Sequence, residues 1–280
     1  MKSIQTTYQQ FISQLSPIYG QREAQSIARI VFEDAFKLFD FTSSQPFLFE
    51  DDLQKIAQRL RTYEPVQYIL GQADFYGLKF KVTPDVLIPR PETEELVYWI
   101  VAENTQSNPS ILDIGTGSGC IPILLKKKIP SAEVTAMDVS KEALTVAKEN
   151  AQLNEVAISF IQQDILQKSI WTNNPTYDVI VSNPPYIPTK EAALMPSWVK
   201  DFEPALALFV SNEDPLIFYR IIADFALTHL TIGGKLYFET NEYNAQEVAV
   251  LLRTKGFKKV YVKEDMSGKE RMIQGSSHLI

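Results

Sequence analysis

The sequence predicts an α/β protein: an open parallel sheet with polar residues gathered at its carboxyl edge, preceded by a small helical domain. Three observations carry this. Apolar residues recur at helical spacing near the amino terminus. Further on, four short apolar runs alternate with amphipathic stretches, and each run ends in polar or glycine-rich residues. One of those runs opens into Gly115-Thr116-Gly117-Ser118-Gly119 and another into Asn183-Pro184-Pro185-Tyr186.

Composition sets the limits. A chain of 280 residues with 45% hydrophobic and 22% charged residues is ordinary for a globular protein, long enough for one large domain plus a small one. No apolar run reaches the roughly 18 residues that span a bilayer, and Met1 to Gln10 lack the basic region and apolar core of a secretory signal. The single Cys120 excludes an internal disulfide, so a cytoplasmic protein without membrane association is expected. His229 and His278 are the only histidines, which leaves neither a metal-ligand cluster nor a ready histidine base. A formal charge of −7 and a pI near 5.1 argue against a broad phosphate-binding face, and hence against a nucleic-acid substrate.

In chain order, Tyr8, Phe11, Ile12 and Leu15 predict a helix that ends at the Pro17–Gly20 break. Ile27, Ile30, Val31, Ala35, Leu38 and Phe39 predict a second helix, and Leu53, Ile56, Ala57 and Leu60 a third. This bundle, residues 1–72, is either a structural cap or a platform for a macromolecular substrate. Alternation around Gly77 predicts a hairpin acting as a linker over residues 73–84, and the main domain then runs from 85 to 280. Pro89-Arg90-Pro91 stiffens the approach to an amphipathic helix, hinting at a site wall, while Glu92, Glu94 and Glu95 are ordinary partners of the helix dipole.

The strand from Ser110 leads through the glycine loop into a helix, and glycine lets backbone approach a ligand closely. A dinucleotide fingerprint has its third glycine one residue later, and here Asp113 ends the strand, which favours a methionine-type amine over a pyrophosphate. Asp138, at the end of the next strand, is placed to accept hydrogen bonds from two ribose hydroxyls. Asp164, after a third strand, either accepts from an adenine amino group or closes a surface turn. At the fourth strand end, Asn183 Oδ1 and the Pro184 carbonyl can together accept both protons of a planar –NH2, with the Tyr186 ring over its face. That makes a cradle for an amide or a nucleobase amine, if it is more than a proline-rich turn. Cys120, Trp99, Trp171 and Trp198 read as packing residues of the core or cleft.

This order of elements resembles the class I S-adenosylmethionine-dependent methyltransferases, and Asn183-Pro184-Pro185-Tyr186 resembles those that methylate planar nitrogen. More narrowly, Glu64 to Gly71, Leu87 to Glu94, Asp113 to Cys120, Asn183 to Ile187 and Phe202-Glu203-Pro204 are similar to segments of the release factor glutamine methyltransferases. Asp265, Gly268 and Arg271 match that family's final hairpin. Glu239 and Gln246 match a further segment loosely, with Asn241 where glycine is expected. The resemblance implies a Rossmann-like seven-stranded methyltransferase domain. It implies transfer of a methyl group from S-adenosyl-L-methionine to the glutamine side-chain amide in the Gly-Gly-Gln loop of peptide chain release factors. Residues 1–72 would dock that protein substrate, and the enzyme would act as a monomer. Asn183, Pro184 and Tyr186 would be catalytic, with Pro185 as a further substrate contact. Asp113, Gly115, Thr116, Gly117, Ser118, Gly119, Asp138, Asp164 and Asn183 would bind the cofactor, and no metal is implied. A ribosomal-protein glutamine methyltransferase is the nearest rival, and a nucleic-acid adenine methyltransferase a more distant one.

Overall fold

The fold, from a computed structural model, describes residues 1–277, so His278 lies outside the described residues. The chain divides into two compact units: Met1–Gln72 with Pro196–Phe202, and Ala73–Met195 with Glu203 onward.

The first unit is helical. Helix α1 (Ile4–Tyr19) is capped by the Ser3 side chain, which accepts from Thr6 N, and α2 (Gln21–Phe36) and α3 (Glu50–Leu60) follow. A one-turn helix, α4 (Val66–Leu70), closes the run. Two expectations are corrected. Pro17 lies inside α1, and the helix stops only at Gly20, whose φ of 80° leaves helical geometry. A proline this close to a carboxyl terminus deprives only the last turn of one bond. Helix α2 ends before Leu38 and Phe39, because Lys37 adopts a left-handed φ of 57° and its N–H caps Phe32 O. The bundle core is built on Leu15, Phe32, Phe47 and Leu60, all within 1% of full burial. Trp198, on α8 (Ser197–Phe202), is half exposed and stacks on Tyr63 rather than entering a core.

The second unit opens with β1 (Gln72–Phe75) and β2 (Leu78–Lys81), joined at Tyr76 and Gly77, both at positive φ as a tight two-residue turn requires. The hairpin is more than a tether. Phe75 and Phe80 are buried in the unit's core, and Asn150 clasps Lys81 through both its backbone N–H and its carbonyl. Then come α5 (Pro91–Glu103), β3 (Ser110–Ile114), α6 (Cys120–Lys128), β4 (Glu133–Asp138), α7 (Lys141–Leu153), β5 (Ser159–Gln162) and β6 (Tyr177–Ser182). Short β7 (Ile187–Pro188), α9 (Ala205–Leu208) and β8 (Phe209–Val210) lead to α10 (Ile217–His229), β9 (Leu230–Glu239), α11 (Ala245–Thr254), β10 (Lys258–Glu264) and β11 (Glu270–Ser276).

Seven strands form one sheet in the order β10-β11-β9-β6-β3-β4-β5, parallel from β9 to β5, with β11 and β10 antiparallel. Alternating side chains divide the core between the two faces. Ile111, Val181 and Tyr237 meet α5 and α6, whereas Leu112, Ile180 and Phe238 meet α10 and α11. The chain leaves β3 toward β4 and β5, then returns to β6 and β9 on the other side. That reversal puts a crevice beyond the carboxyl ends of β3 and β6, where open α/β sheets bind ligands. Among the described residues no helix is long and apolar enough to cross a membrane, and no cluster of His, Cys, Asp and Glu could hold a metal ion.

Candidate functional site

A cavity of about 350 Å³ fills that crevice. Gly115, Thr116, Gly117 and Ser118 form its floor, Asp138 and Asp164 stand on one side, and Asn183, Pro184 and Pro185 on another. The loop is tied down from below, since Gly115 N and Thr116 N both donate to Met137 O, at 2.8 and 3.0 Å. Gly115, Gly117 and Gly119 all have φ between 54° and 80°. Gly119 does not border the cavity. It is needed for packing, because a Cβ there would lie 3.1 Å from Ala147 Cβ.

Asp138 is 9% exposed, and its carboxylate is fixed by Gly117 N on Oδ2 and Ser140 N on Oδ1, both at 2.9 Å. Burial raises its pKa, and those N–H donors oppose the rise. Each oxygen keeps a lone pair, which is what adjacent hydroxyls of a ribose need. Asp113 does not border the cavity. It sits fully buried behind the loop, and neither oxygen has a hydrogen bond of ordinary geometry. Burial pushes its carboxyl up to about 7, with the Thr116 hydroxyl restraining the shift and the Asp138 charge adding to it.

Asp164 turns out to close a turn, as Oδ1 accepts from Leu166 N at 2.9 Å while the residue still borders the cavity. Its neighbour Gln163 offers more. Gln163 Oε1 accepts from Asn174 Nδ2, and its buried Nε2 is unpartnered at the cavity edge. An unsatisfied buried donor is costly unless a ligand acceptor meets it. A glutamine after a short strand carries no signal in sequence, and only its burial singles it out.

Asn183, Pro184 and Pro185 continue β6 into the cavity wall, and Ser182 Oγ pins the strand end by donating to Ile114 O at 2.7 Å. Tyr186 does not border this cavity. It packs against the α10 side of the core, and burial drives its phenol up to about 12, with the charge on Glu239 adding to the rise and those on Arg271 and Arg90 opposing it. Pro84 to Arg90, with Pro204, Leu206 and Ala207, supply further walls. They are clasped together by the Arg90–Glu203 ion pair, in which the Glu203 side chain is 1% exposed. Pro89 and Arg90 of the Pro-Arg-Pro segment are thus part of the site wall, whereas Pro91 opens α5. Cys120 also borders the cavity, but burial pushes its thiol up to about 12, which suits a packing residue. Gln246, by contrast, lies away from the cavity and bonds Glu270 on the surface.

The residues fit S-adenosyl-L-methionine. Glycines at positive φ make the cradle, the Asp138 carboxylate has lone pairs for a diol, and the unpartnered Gln163 Nε2 can meet an acceptor beside Ile165.

Residues 95–201 match the family model described as a methyltransferase small domain. A release factor glutamine methyltransferase from Flavobacterium psychrophilum is 45% identical over 276 residues, covering 95% of this chain and 96% of its own. Its counterpart from Lactococcus lactis subsp. lactis is 48% identical over 222 residues, 79% of this chain and 80% of its own. The crystal structure of a methyltransferase from Pyrococcus furiosus superposes with a TM-score of 0.54 at 18% identity, over 83% of this chain and all of that one, and so shares the fold.

Proposed function

We propose, because the chain belongs to the release factor glutamine methyltransferase family, that it methylates the side-chain amide nitrogen of the glutamine in the Gly-Gly-Gln loop of peptide chain release factors. When bound, S-adenosyl-L-methionine would supply the methyl group as an electrophilic carbon, its sulfonium sulfur leaving as a neutral thioether with the bonding pair. The observation supporting this reading is that Asn183 and Pro184 border the same cavity as the glycine loop and Asp138.

An amide nitrogen is a poor nucleophile, since its lone pair is delocalised into the carbonyl. Asn183 Oδ1 and the Pro184 carbonyl would accept one N–H each, hold the carboxamide plane and favour electron density on nitrogen. Pro185 would hold its flank, with Tyr186 packed behind it in the core. No histidine base is required, because the methylated amide cation is acidic enough to pass its proton through the same carbonyls to water. Gly115 to Ser118 would hold the amino-acid part of the donor, Asp138 the ribose, and Asp164 with Gln163 the adenine, with Asp113 and Gly119 supporting the loop from behind. Residues 1–72 would form the docking domain for the factor, residues 73–84 its link to the catalytic domain at 85–280, and the enzyme would work as a cytoplasmic monomer. The test uses purified protein, methyl-labelled donor and a release factor with its loop glutamine intact or changed to alanine. Peptide mass spectrometry should find the label on that glutamine alone, and label on any other residue, or on a ribosomal protein instead, would reject the assignment.

A further inference from the structure

Glu239 ends β9 inside the protein, 3% exposed. On the adjoining parallel strand β6, Ser182 pairs with Phe238, so the next step places Asn183 beside Glu239. Val181 and Tyr237 both face α5, and a period of two puts Asn183 and Glu239 on that same face. Thr93, in the first turn of α5, closes the group by donating its Oγ1 proton to Glu239 Oε2 at 2.7 Å. The Asn183 side chain comes close enough to the same carboxylate to oppose the rise in its pKa. An ionised carboxylate only accepts, so Asn183 must present Nδ2 to it, and this turns Oδ1 the other way. Oδ1 is the atom that has to face the substrate amide.

We propose that Glu239, steadied by Thr93, is a positioning residue that locks the Asn183 carboxamide with its oxygen toward the substrate –NH2. This rests on the methyl-transfer reading above. Without the lock the two ends of the carboxamide are nearly equivalent in shape, and a flipped Asn183 would offer donors to a substrate that is itself a donor. The groups facing Glu239 are Glu92 and Thr93 on α5, Cys120 on α6, Tyr186 after β6, Tyr219 on α10 and Arg271 on β11. Tyr219 donates to the Glu239 backbone carbonyl at 3.2 Å, and Arg271 Nε donates to Asp265 Oδ2 at 2.9 Å. Burial pushes the Glu239 carboxyl up to about 7, with Glu92 adding to the shift and Thr93, Arg271 and Asn183 opposing it. Once protonated, that carboxyl can donate to Oδ1 and release the lock. Turnover should therefore fall as pH drops through about 7.

The test compares wild type, Glu239→Gln, Thr93→Val and Thr93→Ser for kcat on a release factor, donor affinity by calorimetry, and the pH profile of kcat. In Glu239→Gln, the new amide can bond Asn183 Oδ1 through its own nitrogen. It should lose roughly tenfold to a hundredfold in kcat, bind donor as before, and lack the acid limb near neutrality. Thr93→Val should lower kcat in the same direction, and Thr93→Ser should restore it. Unchanged kcat in Glu239→Gln, a surviving acid limb, or loss of donor binding in step with turnover would each overturn the positioning role. If Glu239→Gln does not fold, the threonine pair decides, and a Thr93→Val enzyme as fast as wild type overturns it. A wild-type enzyme that leaves the release factor unlabelled rejects the function itself, and the inference with it.

Discussion

At the scale of single residues, the site separates binding from chemistry. Asn183 touches the reacting amide in the proposed mechanism, whereas Asp138 is engaged by Gly117 N and Ser140 N on the donor side of the cavity. Asn183→Ala removes one of two acceptors without disturbing the glycine loop. Turnover should drop by about 10²–10³ with donor affinity unchanged, as single-turnover kinetics and calorimetry would show. Turnover equal to that of wild type would refute the role. Asp138→Ala should do the reverse. Loss of a charge-assisted hydrogen bond is worth about 1.5–3 kcal/mol, so donor Kd should rise roughly tenfold or more, and an unchanged titration would exclude the ribose contact. Asp138 was legible in sequence because a lone acid at a strand end is conspicuous. Gln163 was not legible, and Glu239 was marked only by a loose family match, because their surroundings depend on neighbours distant in the chain.

At the scale of elements, the hairpin, α7 and the glycine loop are joined by one buried side chain. Asn150 Oδ1 accepts from Lys81 N at 2.6 Å, and its Nδ2 donates to Lys81 O and Ser118 O, both at 2.9 Å. Asn150→Ala leaves three backbone groups without these partners, at about 1–3 kcal/mol for each that stays buried and unsatisfied. Thermal unfolding should move down by several degrees, and donor affinity should weaken because Ser118 belongs to the cavity floor. A variant with wild-type melting and wild-type donor affinity would show that the hairpin is held by Phe75 and Phe80 alone. Sequence alternation marked the hairpin but read it as a linker. An asparagine in mid-helix gives no sign that it reaches a strand 69 residues away.

For the whole molecule, charge argues about substrate class. With a formal charge of −7, the protein should not bind duplex DNA or RNA at physiological salt over the range of about 1–100 µM where non-specific binders saturate. Fluorescence anisotropy checks this directly, and salt-dependent binding in that range would revive base methylation as the reading of Asn183-Pro184-Pro185-Tyr186. The sheet order makes one crevice from strand ends that are far apart in sequence, so Gly115, Asp138 and Asn183 need no loop longer than their own turns to meet.

What the amino-acid sequence determined by itself was local: helical and strand periods, glycine at positions of positive φ, prolines that stiffen a strand exit, and acids at strand ends. Those follow from backbone sterics and from the alternation of side chains, which act over a few residues. Tertiary structure alone decided that Asp113 and Tyr186 stand back from the cavity, that Arg90 clasps Glu203, and that Thr93 bonds Glu239. Such pairings arise from strand order and burial, which bring distant residues together and withdraw water from them, and no local pattern encodes either.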